Sequence, residues 1–145
     1  MSRAAAAAQA ASTRLLQGLF GLGALPAVAR ASCRLFRHRQ ESLDQLAVRM
    51  RSVRTWSARS PRRRRPRALA AVVRRLESWL PPWGYGRCFK RSMLLLDLWS
   101  RCGLEPTLHL GTRRDRTDRL FHAWVTTSGD GPRTPDGGHE EIWSG

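Results

Sequence analysis

Apolar residues recur with a helical period in three stretches of the chain. Residues 13–58 read as two or three short helices, with Leu43, Leu46, Ala47 and Met50 on one face among arginines, and with Gly21, Gly23 and Pro26 interrupting the first of them. Over 67–80, Leu69, Val72, Val73, Leu76 and Leu80 form one stripe while Arg74, Arg75 and Glu77 lie outside it, which predicts an amphipathic helix. From Cys88 to Cys102 the residues Phe89, Met93, Leu94, Leu95, Leu96, Leu98 and Trp99 leave little polar surface, as in a helix buried on most sides, and Gly103 supplies its stop. Between these two helices the segment Pro81-Pro82-Trp83-Gly84-Tyr85-Gly86 ends the first and cannot start another before its own end.

After Pro106 the pattern changes. Thr107–Leu110 and Leu120–Thr127 read as strands joined by an arginine-rich turn, Gly111–Arg119, and a third strand is expected near Glu140–Trp143 beyond the turn at Pro135–Gly138. Helices first and antiparallel strands last make an α+β arrangement, one central helix packed on a small sheet. A chain of 145 residues has room for one core, and no internal repeat divides it. Residues 1–12 form an alanine-rich tail, 13–66 a basic helical region with a linker, and 67–145 the α+β core.

Charge adds a class of partner and no reaction. Lys plus Arg number 26 against 11 Asp plus Glu, a net +15, which favours polyanions, acidic peptides or acidic protein faces. The run Arg62–Arg65 lies between Pro61 and Pro66 without interleaved aromatics, so a solvated linker is favoured over a nucleic-acid patch. Cys33, Cys88 and Cys102 are odd in number and lack CxxC spacing, which argues against a disulfide framework or zinc ribbon. On one helix, Cys88 and Cys102 would stand roughly 21 Å apart. Unpaired thiols fit a reducing, cytoplasmic compartment. Residues 15–29 loosely imitate a signal peptide, but Gln17, Gly18, Gly21, Gly23 and Pro26 break them up, and no uninterrupted apolar run is long enough to predict a membrane span.

Two residues invite a chemical reading. Cys88 opens a helix after a glycine-rich turn, where the helix N-terminus and the neighbouring Arg87 and Lys90 favour thiolate, although a small buried apolar residue is the plainer reading of a cysteine there. His122 lies mid-strand in Leu120-Phe121-His122-Ala123-Trp124-Val125, where an imidazole needs a hydrogen-bonding role. A nucleophile on a helix N-terminus and a base on a facing strand is an arrangement that cysteine hydrolases use, with the Cys88 backbone N–H as an oxyanion donor. Trp83, Tyr85 and Trp124 are candidates to wall a substrate cleft, or else to pack. Asp97, inside the leucine-rich helix, reads as a structural hydrogen-bonding partner. A zinc site drawn from Cys88, His109, His122 and His139 has none of the usual ligand spacings, so no metal is expected.

The run CFKRSMLLLDLWSRCGLEPTLHLGTRRDRTDRLFHAWV, residues 88–125, resembles the leader peptidase of lasso-peptide biosynthesis, the stand-alone protease form of the maturation B protein, within the transglutaminase-like cysteine protease superfamily. Three features carry the likeness: a cysteine opening a Leu-rich helix, a glycine leading to a PTLHLG strand, and His-Ala-Trp-Val on the next. The resemblance covers roughly residues 67–143. It implies a cysteine peptidase with Cys88 as nucleophile and His122 as base. The third triad member would be an acid after the histidine, Asp136 first and Asp130 second, with a backbone or amide orienter as a further possibility. It implies no cofactor, a precursor leader peptide as substrate, and two partners: a separate leader-binding protein and an ATP-dependent macrolactam cyclase. Nucleic acid and stable membrane insertion form no part of that picture. Two other readings stay open: a non-enzymatic basic module for nucleic acid or an anionic membrane, and another hydrolase or acyl transferase on the same scaffold.

Overall fold

The computed structural model describes residues 23–51, 54–60, 65–81, 86–114, 119–128 and 140–145. Among these residues, four helices precede three strands: α1 (described over 23–37), α2 (Leu43–Arg51), α3 (Pro66–Leu76), α4 (Arg87–Arg101), then β1 (Pro106–Arg114), β2 (Arg119–Thr127) and β3 (Glu140–Ser144). This is the α+β arrangement expected from the pattern of apolar residues.

α4 is the axis of the molecule, touching α2, α3, β1 and β2. Met93, Leu94, Leu96 and Leu98 are fully buried, each such side chain contributing about 1.5–3 kcal/mol relative to exposure. Two apolar clusters meet on this helix. One joins Ala24, Ala27, Val28 and Ala31 of α1 to Leu69 and Val73 of α3 and to Leu94, Leu95 and Leu98. The other joins Leu35, Leu46, Ala47 and Met50 to Met93, Leu96 and Leu108 of β1. The helix ends as its glycine predicts: Gly103 takes φ 79°, its N–H reaches Ser100 O at 2.9 Å and the Leu104 N–H reaches Trp99 O at 3.1 Å, a Schellman closure.

Helix boundaries differ from the sequence expectation in two places. From Gly23 onward α1 runs unbroken through Pro26, because burying Ala24, Ala27 and Val28 against α3 and α4 outweighs the weak local preferences of glycine and proline; Gly21 lies outside the described residues. α3 stops at Leu76 instead of Leu80, giving way to a turn in which the Trp79 N–H bonds Leu76 O at 2.9 Å ahead of Pro81.

The sheet has the order β2-β1-β3, all antiparallel. β1 extends to Arg114, through Gly111, where a turn was expected. As the central strand it pairs on both sides, Gly111 standing opposite His122 of β2 and Glu141 of β3, and this two-sided pairing overrides the glycine. Alternation sorts the residues. Leu108, Ala123, Val125 and Trp143 serve the core, while His109, His122, Trp124 and Glu141 share the other face. Among the described residues, no helix is long and apolar enough to cross a membrane.

Candidate active site

Cys88 is the second residue of α4. Gly86, the N-cap, is extended (φ −62°, ψ 156°) and has no side chain to cap the helix, so no capping side chain covers the positive end of α4 beside Cys88. A β-carbon at Gly86 would lie 4.0 Å from the Cys88 sulfur, so the glycine leaves that approach to the thiol open. The thiol is half-buried. Its Sγ lies 3.9 Å from the carbonyl oxygen of Phe121, the oxygen of the peptide that joins Phe121 to His122. The fold therefore brings the Cys88 sulfur against the β2 backbone next to His122, while the imidazole itself lies on the outer face of the sheet. In this state the S–H donates to the carbonyl.

The half-buried His122 ring lies beside the indole of Trp124, centroids 6.0 Å apart and planes 17° from parallel. His109 stacks on the same indole, at 5.3 Å and 11°. Trp124 thus packs with both imidazoles. His109 is tied at both nitrogens, Nδ1 to Glu141 Oε2 at 2.9 Å and Nε2 to Thr126 Oγ1 at 2.7 Å. A carboxylate only accepts, so Nδ1 donates to Glu141, and in the neutral ring Nε2 accepts from the Thr126 hydroxyl. The indole also covers Gly111, where a β-carbon would stand 2.9 Å and 3.0 Å from its ring atoms and 2.6 Å from Glu140 O. This layer is absent from the sequence reading, which took Trp124 with Trp83 and Tyr85 as a cleft wall and did not join it to His109. Its signal was the alternation that places His109 opposite Trp124.

The first turn of α4 is anchored to the end of α3. Lys90 is buried, and its ammonium donates to Leu80 O at 2.8 Å and Pro81 O at 3.1 Å. Burial pushes the Lys90 ammonium below the usual lysine range, with Arg87 adding to that effect and Glu77 opposing it. Arg91 grips Glu77 with two bonds, Nε to Oε2 at 2.5 Å and Nη2 to Oε1 at 2.6 Å. The Arg91 hydrogen bonds hold the Glu77 carboxyl below its ordinary value, against the opposing effect of burial. The Arg91 guanidinium is raised in turn, first by its bond to Glu77, and Cys88 makes a smaller electrostatic contribution to it. Lys90 was expected simply as a charge beside the thiol. The structure shows it tying down the carbonyls where the Pro81–Gly86 segment begins.

Asp97 is buried and structural, as expected: Arg34 Nη1 reaches its Oδ1 at 3.0 Å and Arg101 Nε its Oδ2 at 2.7 Å. Asp136, Asp130, Trp83, Tyr85 and His139 lie outside the described residues.

A half-buried thiol at the start of a core helix, against an antiparallel strand bearing histidine, is the framework of cysteine-dependent acyl chemistry. The family model of the transglutaminase-like superfamily matches residues 25–141, and the chain belongs to that superfamily, which includes cysteine peptidases and acyltransferases. No curated protein and no solved structure matches the chain.

Proposed function

We propose that this protein is a cysteine peptidase that removes the leader from a ribosomally made precursor during lasso-peptide maturation. The observation that carries the peptidase reading is the placement of Cys88 at the open N-terminus of α4, its sulfur against the Phe121–His122 peptide. The resemblance of residues 88–125 to the lasso leader peptidase supports the substrate.

In this mechanism His122 takes the Cys88 proton and the thiolate attacks the scissile carbonyl. The Cys88 N–H and its neighbours at the helix start stabilise the oxyanion. The C–N bond breaks as His122 returns the proton to the leaving amine of the core peptide, and the leader remains as a thioester on Cys88. Water, deprotonated by His122, then hydrolyses the thioester and frees the leader carboxylate. Asp136 orients His122 in this proposal, with Asp130 as its alternate. Trp124 walls the site beside the imidazole, and Trp83 and Tyr85 grip the peptide. No cofactor is needed. A leader-binding protein presents the precursor, and an ATP-dependent macrolactam cyclase takes the product.

Superfamily membership also favours a second reading, acyl transfer, in which an amine instead of water resolves the same thioester. Mass spectrometry of a candidate precursor incubated with its leader-binding protein decides among the readings. Cleavage to a free leader carboxylate by the parent chain, and none by Cys88→Ala, is the expected result. An amide adduct of the leader would assign acyl transfer. No turnover of a competent precursor would sink both, and salt-sensitive binding unchanged by Cys88→Ala would point to a binding module.

A further inference from the structure

At the other end of α4 from Cys88, a cavity of about 380 Å³ is lined by Arg30, Cys33, Arg34, Arg37 and His38 of α1 and its following turn, and by Arg101 of α4. Its charge is unbalanced. Asp97 alone neutralises part of it, with both carboxylate oxygens already engaged by Arg34 and Arg101, and His38 is paired with Glu41 at 2.7 Å. Arg30 and Arg37, two turns apart on the same side of α1 as Arg34, have no carboxylate partner among the described residues. Two guanidiniums are therefore held in place by a buried acid, and two more stand beside them unpaired. The excess positive charge of such a set favours an anion, with Arg34 and Arg101 fixed before it arrives. The lining carries no Phe, Tyr or Trp ring on which a base would stack, and its one imidazole, His38, is paired with Glu41, which favours carboxylates over a nucleic-acid strand.

We infer that this cavity is an exosite for side-chain carboxylates of the peptide being cut, an inference that rests on the peptidase reading above. Asp97 and Arg101 follow Cys88 by nine and thirteen residues on one straight helix, placing the cavity about 14–20 Å along the axis from the thiol. An extended chain covers that distance in roughly four to six residues. Acidic residues at about that spacing from the scissile bond reach the cavity, while acids next to the bond do not.

The test separates the exosite from the peptidase. The Cys88→Ala chain is titrated by fluorescence anisotropy with a labelled peptide bearing two adjacent glutamates and with its glutamine twin. The glutamate peptide is expected to bind about tenfold tighter. Arg30→Gln/Arg37→Gln removes that advantage, and these exposed, unpaired residues leave the Asp97 pairs untouched. Arg74→Gln/Arg75→Gln, the same charge change on the exposed face of α3, retains it. Equal losses in both double variants would reduce the effect to bulk charge and overturn the exosite. A single-stranded oligonucleotide that displaces the glutamate peptide, and loses affinity only in Arg30→Gln/Arg37→Gln, would overturn it in favour of nucleic acid. Glutamate binding at the cavity without cleavage by the parent chain would leave a carboxylate site and sink the peptidase. Cleavage indifferent to glutamates at any spacing would do the reverse.

Discussion

The sulfur of Cys88 stands 3.9 Å from the carbonyl oxygen of Phe121, thirty-three positions further along the chain and immediately before His122. Both partners sit on regular secondary structure, α4 and β2, whose contact is part of the core. The proposed nucleophile and base are thus positioned by packing, which holds side chains more closely than a loop does.

Cys88→Ala is expected to abolish peptide cleavage while changing the unfolding free energy by no more than about 1 kcal/mol, since the thiol is half-buried and gives up one weak sulfur hydrogen bond. His122→Gln lowers kcat about 10²–10⁴-fold. Single-turnover cleavage assays beside urea unfolding curves check both, and a His122→Gln chain with full activity would remove His122 from the mechanism.

Gly111→Ala should destabilise the protein by about 1–3 kcal/mol, because the added carbon meets the Glu140 carbonyl at 2.6 Å and the Trp124 ring at 2.9 Å. A lowered melting temperature, with a changed near-ultraviolet signal from the displaced indole, is the expected readout.

The Glu77–Arg91 pair makes stability sensitive to acid. A carboxyl held below its ordinary 4.5 contributes its stabilisation in full above that pH and loses it as pH falls through the lowered folded-state value. With Arg91 partly exposed, the amount is about 1 kcal/mol. Urea titrations from pH 7 down through 4.5 and below should show a loss in the parent that is smaller in Glu77→Gln.

Asp97→Asn leaves Arg34 and Arg101 without their buried counter-charge and is expected to cost about 3–5 kcal/mol. Chemical denaturation measures this. A cost below about 1 kcal/mol would show the carboxylate to be dispensable to the α1–α4 contact.

Local signals carried most of the fold. The stripe Leu69-Val73-Leu76, the leucines of α4 and Gly103 each declare themselves within a turn or two of the chain, and Asp97 was legible as structural because a carboxylate among leucines requires partners. Long-range partnerships were not legible. That Asp97 would find Arg34, sixty-three positions away, depends on how α1 crosses α4. Gly111 looked like a turn because a glycine's neighbours in sequence do not disclose that strands will flank it on both sides. At the site, Cys88 and His122 stood out by residue type and place. The tie from Lys90 to Leu80 and Pro81, and the ring stack through Trp124, are contacts between segments that the sequence lists separately.

The fit of the Trp124 indole over Gly111 also works as a register gauge. Side chains in a strand alternate faces, so sliding β2 by one residue against β1 would turn His122 toward the helices and Ala123 toward solvent. Such a slip would also carry the indole off Gly111 and leave the gap beneath it unfilled, since both neighbours of that glycine, Leu110 and Thr112, bear side chains. Mispaired sheets are thereby penalised during folding, and the glycine on the central strand adds to the buried Leu108 and Ala123 in fixing which way the imidazole points.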